Sequence, residues 1–279
     1  MPQDDLDEAL EARFGRTLPA ADDLDAAARA RLAEIAARRS HRAFAERALS
    51  PGLVRLLVAT ALAAPSKSDL QQADVVIVED RARRDALADL VPTMPWVRTA
   101  PAFLVVCGNG RRIRRIGEMR DHPFANDHLD AFFNAAVDGG ILLAFLVRAA
   151  EAAGLGCCPV SVLRNRAEET SAVLALPDLV FPVAGLALGW PAAEGAISPR
   201  LDLDTVMHPD RFDDAALEAE IAAYDRRRHA VQPYRRQRRT DIFGEVGDYG
   251  WSEEKARHYA LSERADFGAY VRARGFRLD

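Results

Sequence analysis

The chain has 279 residues, of which 49% are hydrophobic and 28% are charged, a balance typical of a globular protein with a substantial core. Its formal net charge is only -5, so composition gives no reason to expect a nucleic-acid or anionic-membrane partner. Three cysteines do not make a disulfide framework, and no basic-then-apolar leader opens the sequence. These features predict a reducing, cytoplasmic location.

The first predicted elements are helical. Residues 1–24 are acidic and rich in alanine, and we expect them to form a loosely attached, partly helical extension. A helix is predicted from about Asp25 to Arg38. Ser50 followed by Pro51 predicts the next helix start, because serine caps exposed N–H groups and proline fits the first turn. The side chains expected to face inward from this helix are those of Leu53, Leu56, Leu57 and Ala61.

Three short runs of apolar residues predict strands at 75–78, 102–107 and 183–188, with a further extended segment at 158–162. Between the first two strands, Asp80 is expected to cap a charged helix. Other helices are predicted at about 166–175, from Asp213 into a basic segment, from Ser252 and after Ala265. Few strands, many helices and no regular alternation of the two predict an α+β fold. A glycine-rich dinucleotide or P-loop fingerprint is absent from the sequence.

The longest predicted helix runs from Asp127 to Ala153 and is apolar on nearly every side. Such a helix must be covered over most of its surface, and part of that cover is expected to come from a second subunit. Gly139 and Gly140 weaken its middle but permit another backbone to approach closely. Its most apolar run, 141–147, is too short to cross a bilayer, so no membrane partner is expected.

A cluster of arginines follows the second predicted helix. Arg38, Arg39, Ser40 and Arg42 lie within five residues. Guanidinium groups match phosphate oxygens in pairs, and the serine hydroxyl adds another donor. Considered alone, the run is also typical of a solvated helix C-terminus, where cations are favoured.

Three further segments carry residues suited to ligand contact. The first is a polar loop that could hydrogen-bond a ligand, and the second follows a Gly-Leu-Gly turn that brings backbone close to something flat. The third is an arginine after a proline-containing loop, which could complete an anion site. The residues concerned are Ser66 and Gln71, then Val160, Ser161 and Val162, then Arg200. Considered alone, the polar loop and the arginine are more typical of an ordinary surface loop, and the Gly-Leu-Gly segment is also typical of a tight helix-to-strand turn.

A strongly basic run extends from Arg226 to Arg239. It could attract a phosphorylated cosubstrate or a nucleic acid, and a solvated arm is an equally good interpretation. The acidic residues and histidines at 121–128 do not have the spacing of metal ligands, so no metal is expected.

The order and spacing of these segments resemble the FMN-dependent nitroreductase family, especially its NADPH-using, oxygen-insensitive branch. The resemblance covers about Arg38 to Tyr224. It is carried by Arg-Arg-Ser-His-Arg-Ala-Phe from residue 38, Ala-Pro-Ser-Lys-Ser-Asp-Leu-Gln from residue 64, Trp-Val-Arg-Thr-Ala-Pro from residue 96, Gly-Leu-Gly from residue 154, Leu-Arg-Asn from residue 163, Leu-Gly-Trp-Pro from residue 188 and Pro-Arg from residue 199.

The resemblance implies an α+β sandwich with a central mixed, mainly antiparallel sheet flanked by helices. It also implies an intertwined homodimer with two FMN sites at its interface. We therefore expect an N-terminal extension at 1–24, an FMN-binding domain at 25–229 and a basic-then-helical C-terminal extension at 230–279.

Site residues carried over from the resemblance fall into three groups. Arginines of the first cluster, with Arg200, would hold the FMN phosphate; the polar loop would lie beside the flavin, supplied by the other subunit; the 160–162 segment would lie against the isoalloxazine ring. The set is Arg38, Arg39, Ser40, Arg42, Ser66, Gln71, Val160, Ser161, Val162 and Arg200. The branch usually has a lysine two residues before Arg200 and a glutamine near the flavin, where this chain has Ser198 and Met94.

The function implied is transfer of hydride from NADPH or NADH, through FMN, to a nitroaromatic, quinone or similar small molecule by a ping-pong mechanism. No protein acid or base is required, so no catalytic side chain is assigned. Two alternatives stay open. One is another flavin reaction on the same fold, such as dehalogenation, flavin fragmentation or a tailoring dehydrogenation. The other is a non-enzymatic protein that binds nucleic acid through the basic run.

Overall fold

The computed structural model describes residues 2–19 and 23–279, so residues 1 and 20–22 of the predicted N-terminal extension lie outside the described part. The chain divides into two units, and each is interrupted in sequence. Unit 1 comprises Met1–Arg39 and Ala196–Glu263. Unit 2 comprises Ser40–Gly195 and Arg264–Asp279. The domain boundaries expected after residues 24 and 229 stay predictions.

Unit 1 is helical in its described residues. Its helices are α1 (Pro2–Phe14), α2 (Ala26–Ala36), α9 (Leu203–Val206), α10 (Leu217–Val231), α11 (Thr240–Phe243) and α12 (Trp251–Tyr259). The helix predicted from about Asp25 is present as α2, and the Asp25 carboxylate caps it by accepting a hydrogen bond from the Ala28 N–H at 2.7 Å. Helix α1 packs against α2 and buries Leu6 and Ala9. The expectation of a loosely attached N-terminal segment was therefore wrong for α1, because its apolar face is packed within unit 1.

Unit 2 is built on a four-stranded antiparallel sheet with strand order β1-β2-β4-β3. The strands are β1 (Ala73–Ile77), β2 (Ala102–Asn109), β3 (Gly156–Val160) and β4 (Val180–Gly189). The mainly antiparallel sheet is confirmed, and every strand pair in the described residues is antiparallel. The central pair aligns Leu104 with Leu186, and a register shift follows Val106.

Helices cover both faces of this sheet. They are α3 (Pro51–Ala61), α4 (Arg81–Asp89), α5 (Trp96–Thr99), α6 (Arg111–Met119), α7 (Leu129–Ala152), α8 (Ala167–Leu174) and α13 (Phe267–Ala273). Side chains alternate along β2: Leu104 and Val106 pack with α3 and α7, whereas Phe103 and Val105 pack with α4, α5 and α8. Because both faces are covered, all eight residues of β2 are buried.

Some local predictions hold and others fail. Ser50 Oγ accepts from the Leu53 N–H at 3.2 Å at the start of α3, and Asp80 caps α4. Leu56, expected to face inward, is 61% exposed, because the buried face of α3 runs through Leu57 instead. The segment predicted to be extended to residue 162 leaves the strand after Val160 and continues as a 3-10 turn.

Helix α7 packs against α3 and all four strands, which places it in the core of unit 2. By length and composition alone it is the one described helix that would also suit a bilayer. One side of α7 is exposed to solvent in the single chain, where it presents the apolar side chains of Phe133, Val137 and Phe145. The close approach of a neighbouring strand, expected at its glycines, is found at Gly139, where an added Cβ would lie 2.7 Å from the Val183 side chain. At Gly140, an added Cβ would meet no atom of the single chain within 4 Å.

Candidate functional site

Unit 1 contains a cavity of about 1020 Å³ that Arg38 and Arg200 both line. Its walls include apolar side chains such as Leu32 and Ile35 of α2. In the part of the chain that the structure describes, the Arg200 guanidinium bonds only to backbone carbonyls, those of Ser198 at 3.4 Å and Pro199 at 3.3 Å. Two guanidinium groups on one cavity, one of them without a carboxylate partner, suit a phosphate-sized anion.

Arg39 lies elsewhere in unit 1. It lines a second cavity of about 540 Å³ together with Asp5, Glu8 and Glu34. Its Nε donates to the Ala37 carbonyl at 3.2 Å. The structure thus brings Arg38 and Arg200 to one cavity and directs the neighbouring Arg39 to another.

Ser40 and Arg42 belong to unit 2, on a segment that runs beside the edge of the sheet. The His41 N–H donates to the Cys157 carbonyl of β3 at 2.9 Å, and Phe44 forms an isolated bridge with Pro191. Arg42 is exposed, and its guanidinium carbon lies 5.6 Å from the centroid of the Trp96 ring. The sheet edge therefore fixes the backbone of this segment and leaves Arg42 open to solvent.

Ser66 and Gln71 lie on one tight loop of unit 2. Ser66 Oγ accepts from the Gln71 N–H at 3.0 Å and closes the loop. Ser68, Asp69 and Gln71 all have positive φ angles, between 50° and 55°. Side-chain-bearing residues adopt that conformation only when surrounding contacts hold them there.

Those contacts come from Asp138 in the middle of α7. Its side chain is 3% exposed, and its two carboxylate oxygens accept from the Lys67 N–H and the Gln72 N–H, each at 3.0 Å. The role of this residue was not predicted from the sequence. A signal was present, because Asp138 lies among apolar and small residues in the middle of the helix, and a buried carboxylate must find partners.

Gln72 is a second residue that the sequence analysis missed. Its side chain is 2% exposed, and its Oε1 has no hydrogen-bond partner among the described residues. It lines a cavity of about 430 Å³ in unit 2, to which Lys67, His122 and Asn134 also contribute. A buried amide oxygen of this kind is available to a ligand donor or an ordered water.

The 160–162 segment changes direction at the end of β3. Val160 is fully buried and pairs with Gly185 of β4, whereas Ser161 and Val162 are partly exposed and begin the 3-10 turn. Only Ser161 and Val162 of this segment therefore reach solvent.

The cysteines do not offer a nucleophile. All three are buried, so Cys157 and Cys158 pack as small side chains in the core. Burial, with a smaller contribution from Asp74, raises the pKa of the Cys107 thiol to about 12. A thiolate at Cys107 is therefore negligible at neutral pH.

Comparisons with known proteins identify the family to which the chain belongs. Residues 35–190 match the model of the nitroreductase family, and residues 198–279 match the model of the nitroreductase family C-terminal domain. An FMN reductase [NAD(P)H] from Bacillus subtilis is 32% identical over 190 residues, which cover 67% of this chain and 76% of that protein. An oxygen-insensitive NADPH nitroreductase from Salmonella typhimurium is also 32% identical, over 67% of this chain and 76% of its own length.

A solved structure extends the match to most of the chain. The structure of NfrA2 from B. megaterium superposes with a TM-score of 0.80 and 28% identity, covering 89% of this chain and 98% of that one. The predicted family and α+β fold are thereby confirmed. The two family models together span both units of the chain, which is an enzyme of the nitroreductase family.

Proposed function

We propose that the enzyme holds FMN and uses NADPH or NADH to reduce a small oxidised acceptor, such as a nitroaromatic compound or a quinone. The observation that carries this proposal is the cavity of unit 1 that Arg38 and Arg200 both line. The curated relatives named above are FMN reductases or nitroreductases that use NAD(P)H, which supports the same cofactor and cosubstrate here.

The donor set fits FMN. Guanidinium groups and a hydroxyl suit its phosphate, and hydroxyl, amide and backbone groups suit its ring and ribityl chain. The resemblance assigns the phosphate to Arg38, Arg39, Ser40, Arg42 and Arg200, of which the structure brings Arg38 and Arg200 to one cavity. It assigns the ring and ribityl chain to Ser66, Gln71, Val160, Ser161 and Val162. When bound, the flavin supplies hydride transfer between the nicotinamide and the acceptor.

The role of the protein is to bind the nicotinamide and the acceptor and to orient each of them against the flavin. The nicotinamide and the acceptor occupy the same pocket in turn, so we expect ping-pong kinetics, and parallel double-reciprocal plots would show it. Intersecting plots, which indicate a ternary complex, would contradict a single shared pocket.

A second copy of the chain is the partner that α7 requires. Phe133, Val137 and Phe145 leave an apolar stripe exposed on the core helix of unit 2, and water contact along such a stripe is unfavourable. We therefore expect an intertwined homodimer in the cytoplasm. Sedimentation that shows only monomer at micromolar concentration would contradict it.

The basic run supports a preference for NADPH. Arg227, Arg238 and Arg239 are engaged inside unit 1, with the Arg13 carbonyl, Glu254 and Asp241 as partners. Arg226, Arg235 and Arg236 are exposed. The exposed members are available to the extra phosphate of NADPH, whereas the engaged members argue against a detached nucleic-acid-binding arm. Equal catalytic efficiency with NADPH and NADH would remove this role.

The central experiment measures flavin content. Purified protein should be yellow and release FMN on denaturation, and Arg200→Ala should lose FMN on gel filtration because a phosphate contact is removed. Arg81→Ala is the matched control, since Arg81 is an exposed arginine paired with Asp85 on α4. Colourless wild-type protein that does not bind added FMN would overturn the proposal.

A further inference from the structure

Arg13 is a nearly buried arginine at the end of α1, with 8% of its surface exposed. It lies outside both family matches, which cover residues 35–190 and 198–279. Long charged side chains are rarely buried unless they are fully engaged. The position of Arg13 therefore calls for an explanation within unit 1.

Its guanidinium joins two separate stretches of chain. Nε and Nη2 donate to the Ala36 carbonyl at 2.9 and 2.8 Å, and Nη2 also donates to the Arg38 carbonyl at 2.7 Å. Nη1 donates to the Ser198 carbonyl at 3.1 Å. One side chain thus ties the end of α2 to the segment that leads into Arg200.

The backbone of Arg13 continues the same connection. Its carbonyl accepts from the Arg200 N–H at 2.7 Å and from Nη1 of Arg227 at 3.3 Å. Arg38 and Arg200 are therefore both held through direct bonds to their main chains. All three arginines line the cavity of about 1020 Å³ in unit 1.

We infer that Arg13 is a positioning residue for phosphate recognition by Arg38 and Arg200, an inference that rests on the FMN site proposed above. The guanidinium groups of Arg38 and Arg200 bind one anion well only if their backbones are already fixed at the right separation. Fixing them before binding removes an entropic cost that would otherwise reduce affinity. Helix α1 thereby becomes part of the cofactor site, although it lies outside the family match.

The test compares FMN with riboflavin, which has the same ring and ribityl chain but no phosphate. Dissociation constants are measured by flavin fluorescence quenching for the full-length apoprotein and two variants, Arg13→Lys and Arg13→Met. Lysine keeps the charge, but all its N–H groups are on one nitrogen and cannot reproduce the fork by which Nε, Nη1 and Nη2 reach separate carbonyls, and methionine keeps only the length. We expect FMN affinity to fall by about tenfold or more, the equivalent of one lost charged hydrogen bond, with riboflavin affinity nearly unchanged.

Arg16→Ala is the matched control, because Arg16 follows the same helix but pairs on the surface with Asp202 at 3.2 Å and Asp204 at 3.0 Å. Its FMN-to-riboflavin affinity ratio should equal that of the wild type. Wild-type protein that binds neither flavin would refute the proposed function itself. Wild-type binding with an unchanged ratio in both Arg13 variants, an equal loss of both flavins, or failure of both variants to fold would instead overturn the positioning role.

Discussion

Replacing Asp138 by asparagine should release the 66–72 loop while leaving α7 in place. The carboxylate accepts one hydrogen bond from the Lys67 N–H and one from the Gln72 N–H, each at 3.0 Å. An asparagine of the same shape has one acceptor oxygen and one NH₂ group. It can keep one of the two bonds, but it then presents a donor to the other N–H.

The expected cost follows from that loss. A hydrogen bond to a charged group contributes roughly 1.5–3 kcal/mol, and a buried N–H left without an acceptor costs about 1–3 kcal/mol. Both ranges describe the same broken hydrogen bond and are not added, so we expect Asp138→Asn to lower the free energy of unfolding by about 2–3 kcal/mol. For a unit of the size of unit 2, this loss of stability corresponds to a melting temperature lower by roughly 5–10 °C.

The assay combines urea unfolding with limited trypsin digestion, because cleavage after Lys67 reports directly on the loop. Asp130→Asn is the control: Asp130 is half exposed, lies 3.5 Å from the Lys67 ammonium, and should change stability by no more than about 0.5 kcal/mol. If Asp138→Asn is as stable as this control and resists trypsin equally, the two hydrogen bonds do not hold the loop and the reasoning fails.

Three further outcomes are expected. Gly139→Ala should destabilise the protein by roughly 1–2 kcal/mol, because an added Cβ would lie too close to Val183, and thermal melts that show no loss of stability would contradict the packing. Native Cys107 should resist iodoacetamide at pH 8, since burial raises the pKa of its thiol to about 12, and labelling before unfolding would show otherwise. The hydrogen bond from Arg114 lowers the pKa of Asp127, so its stabilising effect is present above the ordinary carboxyl pKa and lost as pH falls through the lowered value. Asp127→Asn should therefore melt lower than wild type at pH 7 and converge with it towards pH ~2, and a gap unchanged by acid would exclude this linkage.

Local chemistry explains why several elements were predictable. Asp25, Ser50 and Asp80 each cap the helix that follows, and a cap requires only a side-chain oxygen and an N–H three residues on. The family and fold were likewise predictable from ordered motifs. Helix α6 was missed because it holds four arginines and a glycine and few apolar residues, although Ile113 and Ile116 are spaced to lie on one face.

The residues of the site that were not predicted from the sequence make hydrogen bonds to partners far away along the chain. Asp138 bonds to backbone 71 and 66 residues away, and Arg13 bonds to Ser198 across 185 residues. Contacts over such separations cannot be inferred from the pattern of residues in a short window of sequence. The different directions of Arg38 and Arg39 were equally unpredictable, because adjacent arginines look alike until the surrounding helices are placed.

Unit 1 is formed by two segments that are far apart in the sequence, and this affects how it folds during synthesis. The ribosome releases α1 first, yet Ser198, to which Arg13 bonds, follows 185 residues later. At a synthesis rate of about 5–20 residues per second, that interval is roughly 10–40 s. During this time the emerging α1–α2 pair lacks the rest of its packing, so unit 1 can be completed only after the Ser40–Gly195 part of unit 2 has been synthesised.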